Sequence, residues 1–118
     1  MPLYMVDKLM DGIVLLNMRG RIILGSETEA FRSKIKELIA AGHQRLILDL
    51  GEITYIDSAG LSSLVASVTS VRKQGGDVIL LHLPRGVHQL LQITRLATIF
   101  EIHNEVESAL QAFRRQGV

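Results

Sequence analysis

The sequence predicts one α/β domain spanning residues 1–118: a mixed, mostly parallel β-sheet flanked by about four helices, in the order β-β-α-β-α-β-α-β-α. Three observations predict it. Aliphatic, β-branched runs alternate with stretches of helical period, which implies crossover connections and a parallel section. Residues 46–50 and 78–83 are almost continuously apolar, as strands covered on both faces are. Asp11-Gly12, between the first two runs, is a hairpin signal, so the sheet opens with an antiparallel pair. A chain of 118 residues fits one domain and can bury well over half of its unfolded surface.

Residues 3–9 and 13–19 form the hairpin, and residues 21–24 extend its second strand past a bend at Gly20. Ser26 and Glu29 match a capping box, which starts a helix near Glu27. Phe31, Ile35, Leu38 and Ile39 recur at helical spacing, and Gly42 ends the helix at its C′ position. Residues 46–50 are the next strand, followed by a short second apolar patch and then Asp57-Ser58-Ala59-Gly60. A second helix runs from about residue 59 to 73 and stops at Gly75-Gly76. Its core face is Leu61, Leu64, Val65, Val68 and Val71; its other face, Ser62, Ser63, Ala66, Ser67 and Ser70, is all small. Pro84 ends the 78–83 strand and opens a third helix, lined by Val87, Leu90, Leu91 and Thr94. Residues 98–102 are a fifth strand. Asn104 and Glu107 start a last helix with Val106, Ala109, Leu110 and Phe113 on its inner face.

Composition excludes several functions. A net charge of +1 carries no electrostatic footprint for nucleic acid, and 4% aromatic residues supply no base-stacking surface. With no cysteine there is no disulfide, thiolate metal site or thiol nucleophile. No apolar run approaches the length that inserts into a membrane, and the N-terminal residues lack a signal-peptide pattern, which makes a cytoplasmic location the default. The four histidines have no carboxylate or second histidine at zinc spacing, and no phosphate-binding glycine motif occurs, so no cofactor or metal is expected. A nucleophilic serine needs a base within reach, yet G-x-S-x-G is missing and adjacent Asp57 and Ser58 cannot form a triad.

The informative place is the start of the second helix. A helix N-terminus presents unpaired N–H groups and the positive end of the macrodipole. Asp57 or Ser58 reads first as its N-cap. Gly60 weakens a helix relative to alanine, and the serine-rich outer face admits a closely approaching partner. A phosphate on Ser58 would add roughly −1.5 to −2 charge, favoured by the helix end and opposed by Asp57, so the fold would change little while a docked partner would feel the charge. Ser58 thus reads as a switch, not a nucleophile.

The run LILDLGEITYIDSAGLSSLV is similar to the signature of STAS domains, in particular the stand-alone bacterial anti-sigma factor antagonists. Asp49, Ile56, Asp57, Ser58, Gly60 and Leu61 occupy its pattern, and the element order and length agree over nearly the whole chain. The resemblance implies the STAS fold and no enzymatic activity. It implies a partner, a GHKL-type serine kinase that doubles as an anti-sigma factor: the unphosphorylated antagonist binds it, phosphorylation at Ser58 ends binding, and a PP2C-type phosphatase reverses the modification. Asp57, Ala59, Gly60, Ser62, Ser63 and Ala66 are then expected in the kinase interface. Before the first helix the family pattern has an acidic contact that this chain lacks; Glu27 is the substitute, after an apparent extra residue. A competing expectation is a STAS scaffold or accessory subunit of a larger complex, stressosome-like or for lipid transport. An enzymatic alternative requires a histidine at Ser58.

Overall fold

In the computed structural model, which describes residues 2–116, the first two strands, β1 (Tyr4–Met10) and β2 (Ile13–Ile22), form the expected hairpin. Asp11 and Gly12 both adopt positive φ, 53° and 79°, the combination a two-residue turn needs to match strand twist. Helix α1 (Ser26–Ala40) crosses to β3 (Arg45–Ile56), α2 (Ser58–Lys73) to β4 (Asp77–Leu81), and α3 (Arg85–Ile93) with a 3₁₀ turn (Ala97–Ile99) to β5 (Glu101–His103). Helix α4 (Val106–Gln116) follows. The sheet order is β1-β2-β3-β4-β5, antiparallel at the first pair and parallel at the other three.

Two apolar layers sit on the two faces of this sheet. Leu46, Leu48, Leu50, Val78 and Leu80 pack under α1, α2 and α3, together with Phe31, Ile35, Leu64 and Leu91. Ile13, Ile47, Ile79 and Leu81 point to the opposite face, where Ala109, Leu110, Ala112 and Phe113 of α4 cover them. This double covering explains the unbroken apolar runs. An ion pair, Lys34 Nζ to Asp7 Oδ1 at 2.8 Å, fastens α1 to β1. Its hydrogen bond lowers the Asp7 pKa and raises that of Lys34.

Several boundaries differ from the expectation, each for a local reason. Strand β3 does not stop at residue 50; it continues through Gly51 and Glu52 to Ile56, paired with β2 across two register irregularities. Strand β4 ends at Leu81, because His82 takes φ 55° and leaves the extended region. Thr98 and Ile99 belong to the 3₁₀ turn, so β5 starts only at Glu101. The capping box at Ser26 does not form. Gly25, at φ 115°, is the N-cap and Ser26 is already inside the helix, with its Oγ donating to Glu27 Oε1 at 3.2 Å. Gly42 does close α1, at φ 91°, with Gly42 N–H on Ile39 O and His43 N–H on Leu38 O.

Candidate functional site

Strand β3 pairs with β4 only as far as Asp49 and then runs on beside β2 alone. Its extension carries the chain to the far end of the sheet, where Ile56 is buried and Asp57 turns into α2. The start of α2 is therefore set at the carboxyl ends of the strands, next to the loop that leads from β2 into α1.

Asp57 is the N-cap, and its carboxylate does two things. Oδ1 accepts the Gly60 N–H at 2.8 Å, as a cap should, and Oδ2 accepts the Leu24 N–H at 2.9 Å from the neighbouring loop. One side chain thereby ties the beginnings of α1 and α2 together. The Leu24 and Gly60 hydrogen bonds favour the ionised form and hold the Asp57 pKa below its ordinary value against a smaller desolvation effect. A lowered native pKa contributes stability that is fully present above the unfolded value of about 4 and is lost as pH falls through the native one. Asp57→Ala is accordingly expected to lower the melting temperature at pH 7, with the gap to wild type closing toward pH 3. A gap independent of pH would mean that the charge contributes nothing.

Ser58 follows as the first residue of α2. It is exposed, and its hydroxyl makes no hydrogen bond among the described residues. Ala59 is half-buried beside it, and Ser62 and Ala66 lie exposed on the same helix. Glu27 is half-buried in the first turn of α1, the helix whose lead-in loop Asp57 holds.

Two residues expected on a docking face are inside instead. Gly60 is buried: a Cβ there would lie 2.0 Å from the Ile22 carbonyl oxygen and 2.8 Å from Ile56 Cγ2. The neighbour that requires a bare backbone is β2 of the same chain, not an external partner. Ser63 is 1% exposed, and its hydroxyl donates to Gly60 O at 2.6 Å, an internal bond that lets a serine occupy the inner face. Ser67 is likewise buried, donating to Leu64 O at 2.7 Å. Sequence reasoning missed Leu24, 76% exposed and held beside Ser58 through Asp57. The available signal was an apolar residue standing just before Gly25, outside the strand alternation.

Three of the four histidines bond elsewhere. His82 Nδ1 lies 3.1 Å from Asp49, His103 lies between Glu101 and Ser108, and His88 contacts Gln92. Among the described residues no histidine hydrogen-bonds to Ser58, no group of three potential ligands could hold a metal, and no helix is long and apolar enough to cross a membrane.

Comparison with known proteins places this geometry in a family. The STAS domain model matches residues 4–109. The anti-sigma-B factor antagonist of Bacillus subtilis is 32% identical over 96 residues, covering 81% of this chain and 86% of that protein. BtrV of Bordetella bronchiseptica, described as a candidate anti-sigma factor antagonist, is 28% identical over 109 residues, 92% of each chain. The anti-sigma factor antagonist SpoIIAA, solved in unphosphorylated and phosphorylated forms, superposes with a TM-score of 0.72 in both; at 17% identity the unphosphorylated form covers 98% of this chain and 100% of its own. The chain belongs to the STAS domain family, alongside relatives named as anti-sigma factor antagonists.

Proposed function

We propose that the protein is an anti-sigma factor antagonist that works as a phosphorylation-controlled binding switch. Its unmodified form binds a GHKL-type serine kinase that also acts as the anti-sigma factor. The kinase phosphorylates Ser58 and the complex dissociates; a PP2C-type phosphatase restores the binding form. The observation that carries this reading is the presentation of Ser58: an exposed hydroxyl with no internal partner, on a helix start fixed by Asp57. The names of the relatives, and the existence of SpoIIAA in both phosphorylation states, support it.

The docking face in this reading is Ser58, the edge of Ala59, Ser62, Ala66 and the exposed side chain of Leu24, with Glu27 as its acidic contact. Asp57, Gly60 and Ser63 serve it from beneath. Both carboxylate oxygens of Asp57 already accept backbone N–H groups, so the internal frame is expected to change little when Ser58 gains a phosphate. The new charge acts on the partner, where like-charge contact and an unpaired buried ion weaken binding.

Binding of Ser58→Ala and Ser58→Asp to the cognate kinase tests the proposal. Ser58→Ala is expected to bind as wild type does, and Ser58→Asp at least about tenfold more weakly, since an unpaired charge at an interface costs several kcal/mol. Equal affinities for the two variants would sink the switch, and retention of phosphate uptake by Ser58→Ala would move the acceptor elsewhere.

A further inference from the structure

Helices α1 and α2 do not close completely on each other. Short side chains at Ser63, Ser67 and Ser70 line the side of α2 that faces α1, where larger apolar residues would normally interlock. A half-open groove of about 190 Å³ remains, with Ile35 and Ala66 forming part of its apolar lining. Arg32 and Lys36 stand on its α1 side.

These two cations are the informative pair. They are four residues apart on one helix, an arrangement in which like charges repel and weaken the helix. Neither has a carboxylate within salt-bridge distance among the described residues, whereas Lys34, on the same helix, is engaged by Asp7 at 2.8 Å and Glu37 at 3.2 Å. The molecule thus neutralises the cation that faces β1 and leaves unneutralised the two that flank the groove. Size narrows the occupant. Small-molecule sites measure about 300–1,000 Å³, while about 150 Å³ already accommodates a benzene ring. The groove therefore fits one side chain of a protein, not a cofactor.

We propose that this groove receives an acidic side chain of the partner kinase, paired with Arg32 and Lys36, and so extends the docking face down α2 from Ser58. The proposal rests on the partner-binding reading above. The groove runs along the same helix as Ser58 and Ser62, and the Asp57–Leu24 hydrogen bond keeps the two helix starts together at its upper end. Kinase contact at the groove supplies affinity and partner choice; Ser58 supplies the switch.

The test uses the full chain and the purified kinase that binds wild type. The double variant Arg32→Glu/Lys36→Glu is expected to bind about tenfold or more weakly and to lose most of the salt dependence of binding. Ser70→Leu, which plugs the groove and lies several turns from Ser58, is expected to weaken binding as well. Lys8→Glu/Arg115→Glu, with the same change of charge on exposed residues of β1 and α4, is expected to bind within twofold of wild type. All four positions of the charge variants are partly or fully exposed, so melting curves should stay close to wild type. If Arg32→Glu/Lys36→Glu binds like wild type while Ser58→Asp is weakened, the groove proposal falls and the switch stands. If the control variant weakens binding as much as the groove variant, general charge accounts for the effect and the groove proposal falls.

Discussion

Gly60→Ala should destabilise the protein by about 3 kcal/mol, near the upper end of ordinary overpacking costs, while Gly86→Ala should leave it unchanged or stabilise it. The two glycines invite the same substitution, since both lie in the first turn of a helix. Alanine is the better helix former by about 0.8–1.0 kcal/mol in a helix interior. At Gly86 nothing lies within 4 Å of the new methyl group, so only this gain remains. At Gly60 the methyl would meet the Ile22 carbonyl oxygen at 2.0 Å and its carbon at 2.9 Å. Those are backbone atoms of a paired strand and cannot swing aside as a side-chain tip can. The first turn of α2 must back away from β2, which also pulls Gly60 N–H from Asp57 Oδ1. Thermal unfolding should show a fall in Tm on the order of 10 °C for Gly60→Ala. Equal stability would show that the start of α2 is free to slide, and that Ser58 is not rigidly presented.

The second large effect is expected at the other end of the molecule. Phe113→Ala should cost about 3–5 kcal/mol, the usual range for removing a fully buried aromatic side chain. Phe113 is the largest of the four α4 residues that cover Ile13, Ile47, Ile79 and Leu81. The remaining attachment of α4 includes Arg114 on Asp11 at 2.9 Å, an exposed pair that contributes little. The opposing layer under α1, α2 and α3 shares no side chain with this one, so the damage should stay local. Urea unfolding should show a lower midpoint, while the kinase binding proposed above, assayed well below the transition, should persist. Loss of binding under those conditions would mean that the two faces of the sheet are coupled.

Much of this architecture was legible in the residues. The apolar runs at 46–50 and 78–83, Asp11-Gly12 and the helical periods gave the element order and the mixed sheet. What stayed hidden depended on contacts distant in sequence. Gly51 and Glu52 look like a strand end, yet the pairing of Glu52 with Arg19 carries β3 onward. Ser63 and Ser67 look like surface residues because a serine does not announce the carbonyl it will bond; only the helix position relative to α1 turns them inward. Gly60 looks like an opening for a partner until β2 is in place beside it. Ser26 and Glu29 have the spacing of a capping box, but the positive φ of Gly25 moves the cap one residue earlier. Of the candidate site, Ser58 and Asp57 could be located by motif; the second hydrogen bond of Asp57, and with it Leu24, could not.

The length of β3 has a practical consequence. From Ile47, beneath α4, to Ile56, just before the phosphoacceptor candidate, the extended chain covers roughly 30 Å, in a molecule whose longest dimension is 37 Å. Ser58 thus lies far along the strand from Ile47, and α4 covers the face of the sheet opposite to the one that α2 covers. A fluorophore or surface tether attached at exposed Gln111 would stand clear of anything gripping the serine. Immobilised that way, the protein offers the proposed docking face to solution, and association and release can be followed without the handle entering the contact.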